Sequence, residues 1–342
     1  MKGTPMQRRH LLLAGLGVLA TGLVGCSSTP DPSSTPSART QTTIGLTYIP
    51  NVQFAPFYVA VDQGLFMANG VDATLRHHGA SEGLFTAIAA DQEQFVIAGG
   101  DELVQAVSNG VDLVAVAAYF QAYPVVVVVP ASSPAQSMGD LKGKKVGVPG
   151  RYGESWFGLQ VALKNAGLTT EDIQVVEIGY TSQAALSTGK VDAVVGFSNN
   201  DSVQFGLAGI ATRDITIGDD VPLVSIVLAT TRALLDSKPD LVKSVATSMV
   251  AGIRAVVDDH EAALTATQTR VPGLSEDAAR ASALATLEAT VPLFTGRAAA
   301  TSDAVTGKLD PASWSAMTTF MDAQGFLTHA VDPATSMTSV LG

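Results

Sequence analysis

From Thr43 onward, short apolar runs alternate with stretches of helical periodicity, and the runs are continuous rather than alternately apolar and polar. A strand with one wet face alternates, whereas a strand covered on both faces does not. This rhythm therefore predicts an α/β fold with a mainly parallel sheet clothed by helices. TTIGLTYI, VDATLRHH, QFVIAGG and VDLVAVAAYF read as strands, with helices at FAPFYVAVDQGLFMANG, GLFTAIAADQ and DELVQAVSNG. YPVVVVVP carries five consecutive valines, suited to a fully buried strand that Pro130 ends. A second series begins at LKGKKVGVPG and runs through SWFGLQVALKNAGL, IQVVEIGY, TSQAALSTG, VDAVVGF and ATRDITIG. VPLVSIVLAT then leads into long Ala-rich amphipathic stretches. Two series and a helix-rich tail predict two lobes, with crossings near Val128–Pro130 and Pro222–Ser225. Lobe I is then 43–128 with 224–342, and lobe II is 129–223.

The N-terminus reads as targeting. MKGTPMQRRH supplies a positive start and LLLAGLGVLATGLVG an apolar core of signal-peptide length, so residues 1–25 are expected to be a lipoprotein signal peptide. Arg8-Arg9 also fits twin-arginine export. Cys26, the chain's single cysteine, follows Leu23-Val24-Gly25 as in a bacterial lipobox, where the thiol is diacylated. Residues 26–42, rich in Ser, Thr and Pro, read as a flexible tether. The expectation is an exported monomer, lipid-anchored on the outer face of the cell membrane.

Net charge is −11 with no basic run, which argues against nucleic acid as a partner. In an open α/β sheet, ligands lie where strands end and helices begin. Those junctions place Tyr48, Asn51, Gln53, Phe54 and Tyr58 first, then Ser81, Asp101, Gln121 and Tyr123. The second series adds Arg151, Tyr152, Gly153, Glu154, Ser155 and Trp156, then Tyr180, Asn199 and Asn200. GRYGES either caps a helix or offers amide donors to a carbonyl, carboxylate or phosphate. Asp101 is either an N-cap or a ligand group. His77 and His78 are adjacent on a strand and face opposite ways, which does not suit a metal. Neither a Cys nucleophile nor G-x-S-x-G nor H-E-x-x-H is present, so no catalytic residue, metal or cofactor is expected.

YIPNVQFAPFYVA, with four aromatics in thirteen positions, resembles the opening of the solute-binding proteins of bacterial ABC importers. The branch is the one shared by sulfonate/nitrate binders and thiamine-pyrimidine (NMT1/THI5-like) proteins. Tyr48, Pro50-Asn51 and Tyr58-Val59-Ala60 stand where that family has an aromatic, Pro-Asn and Tyr-x-Ala. DQGLFMANGVDATL, LKGKKVGVP and LSTGKVDAVVGFSNNDSVQ follow in the family's order, and the likeness covers roughly residues 43–330. It implies a two-lobed, periplasmic-binding-protein-like (type II) fold with a two-strand hinge, closing on a small-molecule ligand and delivering it to an ABC permease. Yeast members that make the thiamine pyrimidine have a reactive histidine where this chain has Phe54, so the resemblance implies a binder rather than that enzyme. A branch similar at YIPNVQFAPFYVA and GRYGES is linked to riboflavin. The implied ligand is a flat heterocycle, a thiamine pyrimidine precursor or riboflavin. Alternatives are a sulfonate, nitrate or similar anion, and after these a pyrimidine-synthesis enzyme.

Overall fold

Continuous apolar runs need cover on both faces. The computed structural model, which describes residues 39–79, 82–296 and 300–342, gives it to them in two five-stranded sheets. In chain order the strands are β1 Thr40–Leu46, β2 Val71–His77, β3 Phe95–Gly99, β4 Val114–Ala118 and β5 Val125–Pro130. They continue as β6 Lys145–Val148, β7 Gln174–Glu177, β8 Ala193–Phe197, β9 Thr212–Thr216 and β10 Ile226–Thr230. The first sheet has the order β2-β1-β3-β10-β4 and the second β7-β6-β8-β5-β9.

Both sheets are mixed, where a mainly parallel sheet was expected. β1 is parallel to β2 and β3, and β6 to β7 and β8, but β10 and β5 are antiparallel to both of their neighbours. The cause is directional. Parallel strands end at the boundary between the lobes, whereas a strand arriving from the other lobe starts there. The chain leaves the first sheet between Ala118 and Val125 and returns between Thr216 and Ile226. The five-valine strand, placed at the end of lobe I from sequence, thus belongs to the second sheet. Its composition fits the middle of either, and only pairing distinguishes them. β1 begins at Thr40, so the last three residues of the stretch read as tether pair with β2.

Gly64, in the left-handed region at φ 70°, ends the Ala55–Asp62 helix and splits the single helix expected over 54–70. Asp259, whose side chain accepts from the Ala262 amide, likewise separates helices Pro239–Asp258 and His260–Gln268. One apolar core, with Ile44, Leu46, Phe57, Phe66, Val245, Met249 and Leu287, lies between the first sheet and these helices. A second core runs under both sheets, from Leu103 and Val227 through Val127, Val146 and Phe157 to Trp314 and Met321. The Pro311–Ala323 helix, which carries Trp314 and Met321, therefore packs against a core that both sheets share. Among the described residues no helix is long and apolar enough to cross a membrane. Cys26 and the expected signal peptide lie outside the described residues.

Candidate functional site

Helices begin at the carboxyl ends of the parallel strands, and the two lobes meet there, where Gly99 and Glu102 come against Glu154 and Gly153. On the first lobe, Asn51 caps the short 3-10 turn Val52–Phe54, its Oδ1 accepting from the Gln53 amide at 2.8 Å. The Gln53 carbonyl accepts from the Tyr119 hydroxyl at 2.6 Å. Asn51 thus shapes the loop, and Gln53 is held by its backbone.

Tyr58, expected at the ligand, is fully buried. The helical turn carries its ring inward, under the Arg270 guanidinium 4.9 Å from the ring centre. Its hydroxyl lies 2.9 Å from His77 Nε2, and His77 Nδ1 lies 2.9 Å from the Tyr48 carbonyl. A carbonyl only accepts, so Nδ1 carries the proton and Nε2 accepts from Tyr58. Burial lowers the His77 pKa, in keeping with a neutral ring. Phe54, also buried, meets the His77 ring edge-on at 5.2 Å. This inner layer of Phe54, Tyr58 and His77 holds the backbone from which Tyr48 projects.

Tyr48 is 48% exposed, Tyr152 58% and Tyr180 84%. These values are high for tyrosines. The Tyr180 pKa is raised, first by its neighbour Tyr152 and by partial burial, then by the charges of Tyr48 and Glu102, so rings of both lobes lie near one another at the mouth of the boundary. Beside them Trp156, nearly buried, carries the Arg151 guanidinium 5.1 Å from its ring centre, and Arg151 Nε donates to Glu177 at 3.3 Å.

The floor is acidic. Asp101 and Glu102 open the Gly100–Ser108 helix, and Glu154 opens Gly153–Asn165. Tyr123, on the first crossing, donates to Asp101 Oδ2 at 2.6 Å and also bonds the Glu154 carbonyl at 3.0 Å. Ser225, on the second, donates to Glu154 Oε1 at 2.7 Å. Glu102 Oε2 accepts from the Gly99 amide at 3.2 Å. Its Oε1 stands 3.0 Å from where a Cβ on Gly153 would lie, so the lobes touch here and a side chain at 153 would crowd the carboxyl. Burial, then the Glu102 charge, pushes Asp101 up to about 8, and burial pushes Glu102 up to about 7. Glu154 rises well above the usual carboxylate range, through burial and then the charges of Asp101 and Glu102.

A second contact between lobes lies at Asn199, whose Nδ2 donates to Thr290 Oγ1 at 3.0 Å. Thr290 gives its own proton to the Thr286 carbonyl, which fixes the amide orientation. Asn200 is exposed and precedes the Asp201–Leu207 helix, and Ser155 is buried. Gln121 is not at the mouth. Its Nε2 donates to the Phe294 and Ala304 carbonyls and its Oε1 accepts from the Thr306 amide, tying down the C-terminal segment. Ser81 lies outside the described residues. A separate pocket of about 560 Å³ is formed at the crossings by Phe120, Tyr123, Ile217, Val224, Ser225 and Lys308, without the mouth tyrosines.

Sequence reasoning missed Glu102 and Ser225. Glu102 was hidden beside the capping candidate Asp101, whereas His77, unsuited to a metal and expected in a surface or structural role, has such a role behind Tyr48. Ser225 sits on a crossing, where strand-end logic does not look.

The NMT1/THI5-like family model matches residues 51–263. The riboflavin-binding protein RibY of Chloroflexus aurantiacus is 29% identical over 252 residues, 70% of this chain and 72% of the relative. A putative thiamine biosynthesis protein of Haemophilus influenzae is 30% identical over 174 residues, 50% of this chain and 54% of that one. Among solved structures, the periplasmic aliphatic sulphonate binding protein SsuA of Escherichia coli superposes with a TM-score of 0.69 at 17% identity. That match covers 89% of this chain and 93% of SsuA. The two-lobed fold expected from the sequence is therefore the fold observed. The desulfurization enzyme DSZB shares it at a TM-score of 0.58 and 15% identity, over 88% of this chain and 97% of the enzyme, so the fold alone does not separate binder from catalyst.

Proposed function

The chain belongs to the NMT1/THI5-like family, and on that premise we propose that it is an extracytoplasmic solute-binding protein of an ABC importer whose ligand is a flat, neutral heterocycle such as riboflavin or a thiamine pyrimidine precursor. The observation that carries the reading is the cleft mouth, where two lobes expose three tyrosines above an acidic floor. Aromatic faces stack on planar rings, and floor oxygens accept from ring N–H groups. A sulfonate or nitrate needs cationic or amide donors instead. Arg151, the one cation among the candidate residues, is paired with Glu177 and stacked on Trp156. Phe54 offers no nucleophile at the position where yeast relatives carry histidine, which supports binding over synthesis. The riboflavin-binding relative points the same way. Lipidation at Cys26 and docking to a permease complete the proposal.

The test is a thermal-shift series with riboflavin, a formylaminopyrimidine, taurine and nitrate. A ligand at a hundredfold excess over Kd adds about 2.7 kcal/mol, a Tm rise of roughly 4–10 °C in a chain of this size class. A rise with riboflavin or the pyrimidine is expected. A rise confined to taurine or nitrate overturns the ligand class.

A further inference from the structure

Where the lobes meet, three carboxyl groups are drawn together, none of them in an ion pair among the described residues. Asp101 and Glu102 come from the first lobe and Glu154 from the second, while Tyr123 and Ser225, their hydrogen-bond partners, sit one on each crossing. Both lobes and both crossings therefore contribute to one network, buried at Asp101 and Glu154 and half-buried at Glu102.

Among the described residues no cation is ion-paired to these carboxyls. On the Gly153–Asn165 side Arg151 pairs with Glu177 and lies over Trp156, and at the crossings Lys308 lines the pocket that Tyr123 and Ser225 also line. The mouth contributes Tyr152 and Tyr180, and the first crossing contributes Tyr123. From the Pro311–Ala323 helix, Trp314 lies against Gly100 and Met317 accepts from the Val224 amide. Among the described residues none of the seven ion pairs includes Asp101, Glu102 or Glu154, and no group of three acidic, histidine or cysteine side chains is placed to hold a metal ion.

Unpaired carboxylates in a dry boundary repel one another and lose hydration, so a neutral, protonated form is the one that fits. We propose that this boundary is a proton-operated clasp, in which Asp101, Glu102 and Glu154 take up protons from solvent as the lobes close and release them as the lobes open. Each step is a carboxylate gaining one proton to become a carboxylic acid, with no other bond made or broken. The raised pKa values of all three groups agree in sign, since a closed state that holds protons more tightly is favoured by acid. The clasp goes beyond the ligand reading and does not depend on it.

Small-angle X-ray scattering of the ligand-free protein at pH 5.5 and pH 8.5 tests it, with the wild type beside the Asp101→Asn/Glu154→Gln double variant. The wild type is expected to have the smaller radius of gyration at pH 5.5. The variant, neutral at two of the three positions, is expected to lose most of that response. An unchanged wild-type radius, or a full response retained in the variant, overturns the clasp. So does a radius that follows added calcium or chelator instead of pH. Should the variant fail to fold, calorimetric titration of the wild type with riboflavin at pH 7, in two buffers of different ionisation enthalpy, gives a second reading. Uptake of at least one proton is expected, with Kd rising about tenfold per pH unit between pH 6 and 8. No uptake, or release, overturns it. Absence of riboflavin binding together with a pH-dependent radius would leave the clasp standing and count against the ligand class.

Discussion

Tyr48 and Tyr58 stand ten positions apart in one aromatic stretch, yet one projects into the cleft and the other is sealed in the core. The stretch announces itself in sequence as aromatic. Which rings face the ligand depends on a 3-10 turn and a helix start that fix direction within two residues. Two predictions belong here. Tyr180→Ala removes a ring that packs little against the fold, so stability should hold while ligand Kd rises about three- to tenfold, the worth of one stacking contact. Thermal melts and a fluorescence titration check both halves, and a large fall in Tm would show that the ring is structural. His77→Ala leaves the buried Tyr58 hydroxyl without its acceptor and the Tyr48 carbonyl without its donor. It should cost about 1–3 kcal/mol in denaturant unfolding and weaken binding, although His77 touches no ligand in this account.

At the scale of elements, all ten strands fall on stretches singled out in the sequence, and β3, β4, β5 and β8 stand out as continuous apolar runs because burial on both faces leaves its mark in composition. Sheet membership was not visible, since five valines satisfy either sheet and the deciding fact is pairing between residues some seventy positions apart. The helix breaks at Gly64 and Asp259 went unread for a related reason, since each interrupts a periodicity that continues on its far side. Close approaches between elements were equally invisible. A Cβ on Gly252 would lie 2.2 Å from the Pro56 carbonyl, where helix Pro239–Asp258 crosses Ala55–Asp62. Gly252→Ala should therefore destabilise by about 1–3 kcal/mol, read from the urea midpoint, and a neutral result would show that the crossing can relax.

Over the whole molecule, the fold and the likeness to a binder were legible, and Asp101, Tyr123 and Glu154 were singled out one by one, whereas their meeting with Glu102 and Ser225 was not, because the group is drawn from two helices and two crossings. The acidic floor they form sets a pH dependence with a definite sign. The pKa values of Asp101 and Glu102 are raised above the ordinary carboxylate range, so the stability they contribute is fully present below about pH 4. It is lost as pH rises through about 7 to 8. Tm should fall between pH 5 and pH 8, and Asp101→Asn should flatten that fall; a wild-type Tm that rises over this range contradicts the assignment. Cys26→Ser should move the protein from the membrane fraction to the soluble exported fraction, and retention in the membrane would remove the lipid anchor from the proposal.

The central claim, that the cleft takes a flat heterocycle between tyrosines of two lobes, is tested most directly by titrating the purified wild-type protein into riboflavin and following flavin fluorescence, with taurine as competitor. Stacking predicts saturable quenching at one flavin per chain, undisturbed by taurine. Unquenched fluorescence at every protein concentration, together with a thermal shift produced by taurine alone, would contradict it.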